Sequence, residues 1–109
     1  MLVEVFYGKN DFMRNAALGA KWMSKRDMIP SILSMEETHE KVYEVEKLVD
    51  EFKLEDIWID LNLNPNKVNT ENFSTEDDGV WHQSMSIGDI IMFNGKAWMC
   101  DYIGFKELS

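Results

Sequence analysis

Gly88-Asp89-Ile90-Ile91-Met92-Phe93-Asn94-Gly95-Lys96-Ala97-Trp98-Met99-Cys100-Asp101 is the stretch on which the fold turns. Two β-branched and aromatic runs flank Asn94-Gly95, the strongest two-residue hairpin signal, because both central turn residues need positive φ. A two-residue loop sets Ile91 opposite Trp98 and Ile90 opposite Met99. One face of the ribbon then carries Ile90, Met92, Ala97 and Met99, and reads as core. The other carries Ile91, Phe93, Lys96, Trp98 and Cys100. It is apolar but mixed, and is either covered by a helix or open to a partner.

Outward from the hairpin, the start of the chain, Leu2-Val3-Glu4-Val5-Phe6-Tyr7, ends at Gly8 and reads as a further strand. Phe12, Ala16, Gly19 and Met23 recur at steps of four, three and four, which predicts a helix with Asp11 as N-cap, weakened by Gly19. Pro30 interrupts the chain beyond this helix, since it lacks an amide hydrogen and holds Ile29 extended.

The middle admits two readings. Ser34 and Glu37 have capping-box spacing, and Val42, Val45, Val49 and Phe52 continue at helical steps. Against this, Tyr43 and Val45 alternate with Glu44 and Glu46 as in a half-buried strand. Leu54, Ile57, Trp58 and Leu61 then fall at i, i+3, i+4 and i+7, with Glu55 and Asp56 in the first turn, where the helix dipole favours them. The phase break at Lys53 separates the two, so we expect a strand over 39–48 and a helix over 53–63. Residues 64–80 are polar, with only Val68, Phe73 and Val80 apolar, and read as one long loop of a functional or mobile kind. The expected fold is α+β: one mostly antiparallel sheet closed by the C-terminal hairpin, with two helices packed on one face.

At 109 residues the chain fits one domain, 1–109. Twenty acidic against eleven basic residues give a net charge of −9, which opposes a sequence-independent grip on phosphates or anionic lipid. Nucleic acid and membrane surfaces are therefore not expected as direct partners. The single cysteine, Cys100, has no partner for an internal disulfide, and one Cys with two His falls short of a four-ligand zinc site. The expectation is a reducing compartment, the cytoplasm, with no metal and no cofactor. No apolar run approaches the roughly 20 residues of a spanning helix.

Each candidate functional group also has a plainer role. His82, Ser84, Ser86 and Asp89 lie within eight residues, yet triads are defined by convergence on a pocket, and neighbours in an extended segment alternate faces. The plainer role has the serines bonding to backbone as the chain turns, with Gly88-Asp89 opening the strand. A hydrolase or transferase using His82 with Ser84 or Ser86 is the minor hypothesis, and no catalytic residue is assigned. Cys100 reads as a small buried hydrophobe, and His39, among carboxylates, as a solvated surface residue. Eight Met, four Trp, six Phe and three Tyr are hard to hide in so small a core, which points to an exposed aromatic patch built from Trp81, Phe93 or Trp98. Asp50, Glu51, Glu55, Asp56 and Asp60 recur at roughly helical spacing, as a solvated face does. The same row could imitate the charge spacing of a DNA backbone, helped by Glu76, Asp77 and Asp78. Residues 36–60 sum to −7 and residues 71–78 to −4.

The segment His82-Gln83-Ser84-Met85-Ser86-Ile87-Gly88-Asp89, with the hairpin and the closing Gly104-Phe105-Lys106-Glu107-Leu108, resembles a small module of bacteriophages and mobile elements. In that module a histidine precedes a Ser-Met-Ser-Val-Gly-Asp-type stretch and the chain closes on Gly-Phe-x-x-Leu. It is similar to the YodL-like domain. The resemblance covers residues 82–108, and Tyr43-Glu44-Val45-Glu46 with Leu54-Glu55-Asp56-Ile57 resembles the strand and helix that precede the motif in phage versions. Where those versions continue through a Trp-Ser-Pro-Asn-Gly-like loop, only Asn64-Pro65-Asn66 matches here. The resemblance implies no reaction. It implies an accessory protein of phage or mobile-element origin, active in host takeover or against host defence in the host cytoplasm. The functional expectation is non-enzymatic: binding of a host protein through Trp81, Phe93 and Trp98 beside Asp50, Glu51, Glu55 and Asp56, with a homodimer left open. The alternative is an acidic DNA mimic that inhibits a DNA-binding host defence or transcription protein.

Overall fold

The computed structural model describes residues 1–109, the side chain of Glu51 excepted. It is α+β. Five strands, β1 (Leu2–Gly8), β2 (His39–Glu46), β3 (Ile90–Phe93), β4 (Lys96–Cys100) and β5 (Phe105–Glu107), form one sheet in the order β2-β1-β3-β4-β5. Every neighbouring pair is antiparallel. Asn94 (φ 50°) and Gly95 (φ 74°) make the hairpin turn, and the register pairs Ile91 with Trp98 and Ile90 with Met99, as the loop length requires.

Both sheet faces are covered, where the sequence led us to expect helices on one. On the first face α1 (Asn10–Ala16), α2 (Ala20–Ser24) and α3 (Met35–Thr38) lay Phe12, Ala16, Ala20, Met23 and Met35 on Ile90, Ala97, Met99 and Leu108. On the second, α4 (Leu54–Leu63) brings Ile57 and Leu61 onto Val3, Val5, Tyr7, Ile91 and Cys100. Ile91 and Cys100 of the hairpin's second face are thus buried in the α4-side core, while Phe93 and Trp98 on the same face are half-buried. At about 25 cal/mol per Å² of apolar surface, helices on both faces are what a sheet with two apolar faces requires.

The helix expected from Asp11 to Met23 divides in two, with Gly19 at φ 92° between α1 and α2. Lys9, not Asp11, precedes α1, and Asp11 lies in its first turn. The free N–H groups of Asn10 and Asp11 donate to the carbonyls of Gly79 (2.8 Å) and Asp77 (3.0 Å), so the 64–80 loop caps this helix. The loop contains a 3₁₀ turn at Pro65–Lys67, buries Val68 and Val80, and accepts two further bonds from Asn10 Nδ2 at the carbonyls of Ser74 (2.9 Å) and Glu76 (2.7 Å). Ser34 gives α3 no side-chain cap; its Oγ accepts from the Ser31 N–H instead.

In β2 the register to β1 shifts between Val5 and Phe6: Val5 pairs with Tyr43 and Phe6 with Lys41, leaving Val42 as the extra residue of a bulge. A bulge reverses the alternation beyond it. His39 therefore lies on the opposite face from Tyr43 and Val45, beneath α1, with its ring 4.6 Å from that of Phe12. It is 3% exposed, not the surface residue its acidic neighbours suggested.

Candidate functional site: an aromatic groove over a buried carboxylate

Asp89, at the mouth of β3, has no exposed surface. Its Oδ1 accepts the Gly8 N–H at 2.8 Å and its Oδ2 the Ser86 N–H at 2.7 Å, which ties the end of β1 to the 82–88 segment. His82 Nε2 donates to the same two oxygens at 3.0 and 2.9 Å. Burial pushes the Asp89 carboxyl above the usual range, and these donors oppose the shift. The imidazole of His82 stacks on Tyr7 with centroids 4.6 Å apart and planes 10° from parallel. Tyr7 Oη donates to the Gln83 carbonyl at 2.9 Å, and burial, with Asp89 nearby, raises its pKa.

Gly88 completes this knot. At φ 102° it holds a conformation that L side chains rarely adopt, and a Cβ there would stand 2.5 Å from Ala16 Cβ. Its carbonyl accepts from His39 Nε2 at 2.7 Å, while His39 Nδ1 and Thr38 Oγ1 lie 2.8 Å apart. Burial favours the neutral ring and carries the His39 pKa down to about 4. The His-x-Ser-Met-Ser-x-Gly-Asp pattern is in this way a set of positions that welds one end of β1, β3 and α1 together, with Met85 buried in the α4-side core.

Over the knot opens a groove of about 830 Å³. Trp58 from α4, Trp81, and Tyr102 from the β4–β5 turn line its sides, His82 and Cys100 its floor, and Glu55 and Asp101 contribute carboxylates. Trp58, Trp81 and Tyr102 are 41%, 60% and 65% exposed. Tyr102 is braced by a hydrogen bond from its Oη to the Ala17 carbonyl, and Asp101 Oδ1 accepts the N–H groups of Ala20 (3.1 Å) and Tyr102 (2.8 Å). This is the size and apolar, aromatic lining of a ligand site.

The residues singled out from sequence scatter around this groove. His82 and Ser86 line it, as do Trp81, Glu55, Gly104 and Phe105, whereas Ser84 is exposed outside it. Ser86 Oγ donates to the Ser84 carbonyl at 3.3 Å, and among the described residues no serine hydroxyl bonds to His82. The Cys100 thiol is pushed up to about 11, by burial first and then by Asp89 and Asp101. Phe93 is half-buried and packs edge-on against Phe52 at 4.8 Å. Trp98 is also half-buried, and its indole N–H has no hydrogen-bond partner among the described residues. Trp58 and Tyr102 were missed: the first was absorbed into the helical stripe, and the second sits in a turn whose place depends on β5, a strand of three residues too short for pattern reading.

The carboxylate row does not run unbroken. Asp50 is exposed in a separate 3₁₀ turn, Val49–Glu51, and an extended Phe52-Lys53 link precedes Glu55 and Asp56 on α4. The Glu51 side chain lies outside the described residues. Asp60 pairs with Lys67 Nζ at 2.9 Å and Asp77 with Arg14. No group of three or more metal-ligating side chains occurs among the described residues, and no described helix is long and apolar enough to cross a membrane. Comparison of the chain with protein families, with curated proteins and with solved structures returns no match.

Proposed function

We propose that the chain is a non-enzymatic binding module that engages a partner protein through the aromatic groove and its acidic margin. The observation that carries this reading is the exposure of Trp58, Trp81 and Tyr102 around one 830 Å³ groove. Trp and Tyr are enriched among the few residues that dominate binding energy at protein interfaces, and a contiguous exposed aromatic surface marks an interaction site. The Asp89 knot fits the same reading, since a groove held on rigid backbone loses little freedom on binding. The resemblance of 82–108 to the phage and mobile-element module supports a host protein as the partner and a host cell as the setting. A DNA-mimic role has less behind it, because Lys67 and Arg14 take up two of the carboxylates such a row would need.

Photo-crosslinking tests the reading. A benzophenone side chain in place of Ile103, which is 94% exposed beside the groove, should yield a discrete adduct in host extract. The same probe at Leu33, 96% exposed and outside the groove lining, should not. Trp81→Ala should abolish the adduct at position 103. Equal labelling from both positions, or labelling indifferent to Trp81, would overturn the proposal.

A further inference from the structure

We infer that the groove recognises an arginine side chain presented by an extended segment of the partner, its guanidinium stacked on the Trp58 and Trp81 indoles and paired with Glu55. The inference rests on the groove being a protein-binding surface and adds the chemistry of what enters it. Three observations carry it. The first is charge: Glu55 and Asp101 line the groove while, among the described residues, no lysine or arginine does, in a chain of net charge −9. The second is availability. Glu55 is exposed and makes no hydrogen bond or ion pair among the described residues, and although Asp101 Oδ1 is occupied by Ala20 and Tyr102, its Oδ2 is not. The third lies elsewhere in the fold: Arg26 places its guanidinium 3.9 Å from the centre of the Trp22 ring, so the chain already satisfies one indole with this cation.

Aromatic faces attract cations through the ring quadrupole, and the planar guanidinium both stacks and pairs two-fold with a carboxylate, which an ammonium cannot do. The aromatic sides and the acidic margin are then two parts of one recognition device. An acidic or purely apolar segment would leave Glu55 and Asp101 desolvated without a counter-charge, which disfavours it.

The test uses the full chain and three synthetic peptides: acetyl-Gly-Leu-Arg-Leu-Gly-amide, its citrulline counterpart, which keeps the shape without the charge, and its glutamate counterpart. Binding is read from the indole N–H resonances, with Trp22 on the other side of the sheet as internal control. The arginine peptide should shift Trp58 and Trp81 and leave Trp22 in place. Citrulline should weaken binding about tenfold or more, and glutamate should abolish it. Glu55→Gln, at an exposed position that does not threaten folding, should cost about three- to tenfold with the arginine peptide and nothing with citrulline. Equal binding of arginine and citrulline peptides would overturn the inference and leave a groove that is merely apolar, with the crosslinking result untouched. Absence of shifts with all three peptides, alongside a groove-dependent crosslink, would overturn it too. Self-association abolished by Trp81→Ala and undisturbed by the arginine peptide would assign the groove to a second copy of the chain, against the inference.

Discussion

Asp89 and His82, seven residues apart, meet beneath the groove with Nε2 2.9 Å from Oδ2, and one of the pair has no solvent-exposed surface. A buried carboxylate is tolerable only if its lone pairs are filled, and here two backbone N–H groups share that task with the imidazole.

Removing the carboxylate should therefore be severe. Asp89→Ala leaves the Gly8 and Ser86 amides without their acceptor and should cost about 3–5 kcal/mol, a large share of a small domain's stability. Asp89→Asn keeps one acceptor oxygen and should cost less. Urea unfolding at pH 7 on the series gives the order; equal stability of the alanine variant and the parent would contradict the assigned role.

His39 should make the fold acid-sensitive. Its pKa is lowered from 6.5 to about 4 in the folded chain, so the unfolded chain takes up the proton first as the pH falls. The stability it confers is complete above about 6.5 and drains away down to about 4, on the order of 3 kcal/mol in all. Asp89 works in the opposite sense, because its raised pKa lets the folded state bind a proton before the unfolded one. Urea midpoints at several pH values should fall across this window in the parent. They should vary less in His39→Gln, whose deficit against the parent is largest above about pH 6.5 and closes toward about pH 4.

Two glycines with positive φ, Gly95 and Gly88, should respond very differently to alanine. At Gly95 (φ 74°) nothing lies within 4 Å of the added carbon, so Gly95→Ala should cost only the left-handed backbone term, about 1–2 kcal/mol. At Gly88 the new methyl meets Ala16 at 2.5 Å, and either the backbone turns, breaking the His39 bond, or α1 moves. Thermal melting should show the Gly88→Ala loss to be the larger by several degrees at least.

The Cys100 thiol should be nearly inert in the native chain. With its pKa raised from 9.0 to about 11, thiolate at pH 8 is depleted about a hundredfold, and burial adds a steric barrier. Iodoacetamide should modify it slowly in buffer and rapidly in concentrated urea; rapid native labelling would show that the floor of the groove opens.

Much of the sheet could be read locally because its information is local. Asn94-Gly95 imposes its turn through φ alone, and a two-residue loop then sets the pairing of Ile91 with Trp98. The 3.6-residue stripe from Leu54 to Leu61 and the alternation through Tyr43 and Val45 reflect side-chain geometry that each segment carries with it. His82, Ser86 and Asp89 were visible as a cluster for the same reason, but their geometry was not, because Asp89 takes an acceptor role defined by Gly8, 81 residues away.

What the tertiary structure alone decided is which side of the sheet each group meets. The Val42 bulge reverses the phase of β2 and sends His39 inward, and a one-residue shift of that kind has no signature in a sequence flanked by Glu37 and Glu40. The hairpin's apolar second face said that something must cover it. Only packing showed that α4 does so, leaving Phe93 and Trp98 half-buried and turning Trp58 outward to join Trp81 and Tyr102. Periodicity records how apolar a face is, a property of single residues. Whether that face ends as core or as groove depends on which distant segment arrives to bury it.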